Sequence, residues 1–152
     1  MPCFQTKNFA AISYETDATV EFPNGLAGFE ERRLFLALQF DDSAPLVFLQ
    51  SLEDPDLCFI TLPVLVVDRE YRLQVSAKDR ELVGLPIARG LRLGEDVGCF
   101  AVVSIREGDS TANLLAPVVV NLRNRKAVQA VASESGYSHQ HALVPQEAPV
   151  CS

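Results

Sequence analysis

The rhythm of the apolar residues restricts the fold most: they mostly alternate or run in short blocks, which is the signature of β-structure. Val97 to Ile105 shows it best. Val97, Cys99, Ala101, Val103 and Ile105 fall on one face of an extended chain, and Phe100 and Val102 add apolar surface to the other. A strand apolar on both faces lies inside a barrel or sandwich. Thr19 to Phe22 sets Val20 and Phe22 on one face, then stops where Pro23 removes a backbone donor and Asn24-Gly25 tolerate positive φ. Arg33 to Gln39 and Leu46 to Ser51 read as strands around the polar loop 41–45. The acidic turn Glu53-Asp54-Pro55-Asp56 leads into a strand over Leu57 to Leu62, and Tyr71 to Val75 reads as another. Ala116 to Leu122 and Lys126 to Ala132 form a hairpin around Arg123-Asn124-Arg125.

Helical signals are few. Phe29 to Arg33 reads as one helical turn. Ser76 reads as an N-cap with Asp79 at the third helical position, and Gly84 and Pro86 stop that helix early. The expectation is a mainly β, single-domain, antiparallel β-barrel or sandwich-like fold with one or two short helices. It spans residues 1–143, with 144–152 a flexible tail. A chain of 152 residues suits one domain with a sizeable core.

Charge narrows the partners. The net charge is −7, and residues 1–60 carry it: three basic side chains (Lys7, Arg32, Arg33) stand against ten acidic ones. An acidic surface repels nucleic-acid phosphate and anionic membrane and suits a basic protein partner, although solubility alone is the commoner reason for such charge. Met1 to Ala10 lacks the apolar run of a leader segment. The longest apolar runs, Pro63 to Val67 and Leu114 to Val120, are far shorter than the roughly 20 residues a spanning helix needs. These features together point to the cytoplasm, where Cys3, Cys58, Cys99 and Cys151, scattered and unpaired, stay reduced. Cys58 and Cys99 sit in strand-like runs, as small hydrophobes do.

Catalytic equipment is missing from the sequence. It has no phosphate loop, dinucleotide fingerprint or nucleophile elbow, so no cofactor is expected. His139 and His141 point the same way if extended, which leaves open a metal-dependent β-barrel enzyme using them and nearby carboxylates, but no third ligand is evident. Glu53, Asp54 and Asp56 could hold a cation, yet acidic side chains in turns commonly cap backbone donors, and turn chemistry outweighs a metal site here. Arg123, Arg125 and Lys126 form the one tight basic cluster. A direct RNA site would want a broader basic face with aromatics, so the readings are a solvated turn or a contact to an acidic partner.

Several segments, in order and spacing, resemble the FliW family: Phe22 to Glu30 (FPNGLAGFE), Leu49 to Phe59 (LQSLEDPDLCF), Thr111 to Asn121 (TANLLAPVVVN) with Asn124 to Gln129, and Tyr137 to His141 with Leu143. Together they cover roughly residues 3 to 143. Ser110 stands where the family often has Met. The resemblance implies a regulatory binding protein and no enzyme. Such proteins bind flagellin in the cytoplasm, and they bind CsrA, an RNA-binding regulator whose repression of flagellin translation they relieve. A protein that holds RNA is basic, so the acidic side chains Glu30, Glu31, Asp41, Asp42, Glu53, Asp54 and Asp56 form the candidate surface for CsrA. Phe29, Asn113 and Tyr137 are candidate flagellin contacts, and Arg123 and Arg125 candidate partner contacts. Asn113 and Asn121 also suit the satisfaction of backbone groups beside strands.

Overall fold

The computed structural model describes residues 19–105, 109–131 and 135–143, and by backbone alone residues 3–4 and 12–13. The short strands β1 (Cys3–Phe4) and β2 (Ile12–Ser13) pair antiparallel. The main sheet follows: β3 (Thr19–Glu21), β4 (Leu34–Leu38), β5 (Val47–Ser51) and β6 (Cys58–Pro63) meander. Helices α1 (Val64–Val67) and α2 (Ala77–Val83) intervene before β7 (Val97–Ser104), β8 (Thr111–Ala112), β9 (Val118–Asn121), β10 (Ala127–Gln129) and β11 (His141–Ala142). The spatial order is β3-β4-β5-β6-β7-β9-β10, every neighbouring pair antiparallel. β8 lies beside the far end of β7, and β11 lies outside β8.

The ends of this path meet. Glu21 and Lys126 form a single parallel bridge, with the Glu21 N–H donating to the Arg125 carbonyl at 3.0 Å. Two residues on, Pro23 has no N–H to extend that rung into a ladder. The sheet is therefore rolled like a barrel but touches itself at one point. The loop after β3 fills the opening. Leu26 is buried there, and the Ala27 N–H donates to Gln129 Oε1 at 3.0 Å.

Two apolar cores lie on opposite faces of the sheet. The inner one holds Val20, Phe22, Leu26, Phe35, Leu49, Val118, Val120 and Ala127. The outer one is made where the chain from α1 to Leu93 covers β7, β9 and β10, and includes Val64, Val83, Val97, Cys99, Leu114, Val119 and Val128. This double cover explains the two apolar faces of β7 and the four consecutive buried residues of β9. Burial pushes the Cys99 thiol up to about 12 and the Cys58 thiol up to about 11. A thiol held protonated is a poor nucleophile. Cys99 is therefore expected to resist a disulfide-exchange reagent at mildly alkaline pH until the protein unfolds, read by peptide mass mapping. Fast native labelling of Cys99 would contradict this packing.

Helix α2 begins and ends as its sequence indicates. Ser76 Oγ accepts the Asp79 N–H at 3.1 Å, and Gly84 closes the helix in the left-handed region at φ 79°. Other segments depart in part from expectation. Residues 29–33 make a single hydrogen-bonded turn, in which the Arg32 N–H donates to the Phe29 carbonyl at 3.0 Å, and it does not continue as a helix because Glu53 Oε1 accepts the N–H groups of both Arg33 (2.7 Å) and Leu34 (3.3 Å) and draws the chain straight into β4. Tyr71 to Val75 alternates buried and exposed as a strand does but joins no ladder among the described residues. It is a strap across the outer core, fixed where the Tyr71 hydroxyl donates to the Leu114 carbonyl at 3.1 Å. The strand expected from Ala116 starts only at Val118, since Asn113 Oδ1 accepts the N–H groups of Leu115 (3.1 Å) and Ala116 (2.9 Å) and bulges the chain between β8 and β9. The apolar run from Pro63 to Val67 ends β6 and forms α1; no described helix is long and apolar enough to cross a membrane. Residues 144–152 lie outside the described residues.

Candidate interaction surfaces

The acidic residues separate into two groups. Glu53, Asp54 and Asp56 share the turn between β5 and β6, and the turn before β4 packs on it: Arg32 Nε lies 3.8 Å from Asp54 Oδ2, and a groove of about 320 Å³ is lined by Phe29, Glu30, Glu31, Arg32 and Asp54. Asp41 and Asp42 lie in a 3-10 turn at the opposite end of β4. Of the seven acidic side chains picked out in the sequence, five thus gather at one end of the β4–β5 hairpin. Apolar surface accompanies them. Phe29 is 41% exposed, with its ring edge-on to Phe59 at 5.3 Å, and Leu34 is 42% exposed.

Part of this acid serves the fold. Ser51 Oγ accepts the N–H groups of Glu53 and Asp54, and Asp54 Oδ1 accepts that of Asp56, each at 3.0 Å. The buried amide of Gln50 donates to the carbonyls of Ser51 (3.1 Å) and Leu57 (3.0 Å), tying the turn from within. Glu30 Oε2 accepts the Gly28 N–H at 3.0 Å. Turn chemistry thus accounts for Glu53, Asp54 and Glu30, whereas Glu31 and Asp56 are exposed and leave their carboxylates to solvent.

The remaining candidates part company. Asn113 holds the bulge before β9. Tyr137 stacks on Tyr71 at 4.5 Å, and its hydroxyl accepts the Arg72 N–H at 2.9 Å, so its role in the structure is to pin the strap. Arg123 is exposed at the β9–β10 hairpin tip, with Arg125 half-buried beside it. His139 is exposed, and His141 pairs with Ala112 across β8; among the described residues no group of three or more His, Cys, Asp or Glu side chains is placed to hold a metal ion.

Two features were not read from the sequence. One is an apolar groove of about 240 Å³ between α1 and the start of β7, lined by Val64, Leu65, Leu93, Gly98 and Phe100. Its signal was Gly98 inside an otherwise apolar strand: a Cβ there would stand 2.9 Å from the Phe100 ring. The other is a polar cavity of about 590 Å³ bounded by Gly84 to Pro86, Asp96 and Arg123. Asp96 clamps its wall. Arg89 donates to both carboxylate oxygens at 3.0 and 3.2 Å, and the Arg92 N–H donates at 2.8 Å. The Arg89 guanidinium, followed by the Arg92 N–H, holds the Asp96 carboxyl well below the usual carboxylate range. This contribution is in place above the ordinary carboxylate pKa and disappears only as the pH falls through the depressed folded value.

Comparison with known proteins agrees over nearly the whole chain. A family model described as FliW protein matches residues 3–143. A flagellar assembly factor FliW of Bacillus licheniformis is 34% identical over 135 residues, covering 88% of this chain and 90% of that one. The Bacillus subtilis flagellar assembly factor FliW is 29% identical over 140 residues, covering 91% and 94%. These relatives are named as assembly factors, not as enzymes. A crystal structure of the flagellar assembly factor FliW superposes with a TM-score of 0.81 at 28% identity, covering 95% of this chain and 98% of that one. With the family match over residues 3–143, a likeness of this extent settles the assignment: this chain belongs to the FliW family.

Proposed function

We propose that the protein is a non-enzymatic regulator of flagellar assembly in the cytoplasm that binds two protein partners, flagellin and the RNA-binding regulator CsrA, and that binding relieves repression of flagellin translation. Family membership supports the first part of this reading. The observation that carries the CsrA part is the convergence of Glu30, Glu31, Glu53, Asp54 and Asp56 around exposed Phe29 and Leu34. A protein built to hold RNA presents cationic surface, and an acid-rimmed apolar patch offers it both long-range steering and a desolvated centre.

Titration calorimetry of the purified chain against purified CsrA and flagellin tests this. Each is expected to bind at micromolar concentration or better, about 8 kcal/mol. Glu31→Lys with Asp56→Lys, which spares the carboxylates that hold the turns, is expected to weaken CsrA binding about tenfold, and the loss should shrink as salt screens the charges. Binding to neither partner would refute the reading as a whole. Unchanged CsrA affinity in the double variant would move that partner elsewhere on the molecule.

A further inference from the structure

The β9–β10 hairpin tip carries Arg123, Arg125 and Lys126 in a chain of net charge −7. The turn does not need them. Asn121 Oδ1 accepts the Arg123 N–H and Asn124 Oδ1 the Lys126 N–H, both at 2.9 Å, while the two Asn amides donate to the Val83 carbonyl at 2.8 and 3.1 Å. Arg125 even acts against the turn. It is held at φ 63°, in the left-handed region where glycine is at ease. Its Nε is also buried with no hydrogen-bond partner among the described residues. Strain of this kind, kept in place of an easier residue, points to a use.

The polar cavity lies beside this tip, and Arg123 lines it. Arg89, which also lines the cavity, is engaged with Asp96 at 3.0 Å, and nearby Arg92 reaches Asp96 at 3.5 Å and Glu95 at 3.0 Å. Arg123 is exposed and makes no side-chain hydrogen bond or ion pair among the described residues. Among the described residues it is the one open cation lining the cavity.

We infer that the hairpin tip and its cavity dock an acidic peptide segment of a protein partner, with Arg123 forking a carboxylate at the cavity mouth and Arg125 supplying a second cation. The inference rests on the reading above only in taking the partner to be a protein. A guanidinium offers a carboxylate two parallel donors in one plane, which favours an acidic side chain. Nucleic acid fits less well, because no aromatic side chain lines the cavity beside Arg123 to serve as a platform for bases.

Fluorescence anisotropy with a labelled peptide of alternating Glu and Leu, titrated with the full chain at low salt, tests this without needing either proposed partner. The wild type is expected to bind, and Arg123→Glu to bind about tenfold more weakly. Arg125→Gly is expected to weaken binding while leaving the thermal midpoint equal or higher, since glycine relieves the backbone. A fall in midpoint for that variant would make Arg125 a structural residue and overturn its part in the site. The inference also fails if the wild type does not bind the peptide, if both variants bind like wild type, or if single-stranded RNA of the same length binds more tightly. Failure here leaves the calorimetric test of the two proposed partners untouched.

Discussion

Replacing Phe35 with Ala is expected to lower the unfolding free energy by about 4 kcal/mol, the range typical of a buried aromatic truncated in a packed core. Phe35 is fully buried at the centre of the inner core. Its ring meets Phe22 edge-on at 5.4 Å and Phe59 at 6.0 Å. Truncation removes the transfer energy of the ring, leaves a cavity between β3 and β5, and loses two aromatic contacts together. For a chain of this length the thermal midpoint should fall by roughly 10 °C. Urea unfolding with an unchanged slope would place the loss in the native state. A loss below about 1.5 kcal/mol would mean that the inner core collapses around the gap and is less closely packed than described here.

Gly25→Ala follows in size, and Gly28→Ala supplies its internal control. Both glycines lie in the left-handed region, at φ 68° and 85°. A Cβ on Gly25 would stand 2.5 Å from the Cα and carbonyl oxygen of Glu30, whereas one on Gly28 would meet nothing within 4 Å. Gly28→Ala therefore isolates the backbone cost, about 1 kcal/mol. Gly25→Ala adds displacement of the Glu30 backbone, for a total of about 3 kcal/mol. Because that displacement moves the turn carrying Phe29, Glu30 and Glu31, Gly25→Ala should also weaken the binding assigned to the acidic end, and Gly28→Ala much less. Equal stability losses in the two variants would show that the close approach at Gly25 relaxes freely.

Much of the fold was legible because its signals are local. Alternation marked β3 to β7, paired turn residues marked the β9–β10 hairpin, and Ser76 and Gly84 bracketed α2. The errors lie where a distant residue decides. The backbone at 29–33 is set by a carboxylate twenty positions away, at Glu53. The strap from Tyr71 to Val75 has a strand's alternation because it lies on a sheet, which periodicity cannot distinguish from lying in one. The candidate surfaces were legible as residue types but not as places. Nothing in the order of residues shows that Asp41 and Asp42 stand apart from the other five acids, or that Tyr137 is occupied in holding Arg72. The cavity beside Arg123 was invisible for the same reason: its wall is assembled from α2's end, the Asp96 clamp and the hairpin tip.

The single rung between β3 and β10 bears on how the chain is made. Ala27 and Gln129, which seal the opening beside it, are 102 positions apart. A ribosome must release the chain through Gln129 before that seal can form, while Val20, Phe22 and Leu26 emerge early and wait for Val118, Val120 and Ala127 to complete their cover. Closure thus waits on the emergence of the β9–β10 hairpin. A prematurely terminated chain lacking the last hairpin cannot present the finished seam, so an incomplete product is marked by its own unsheltered core and is open to proteolysis before it can meet a partner.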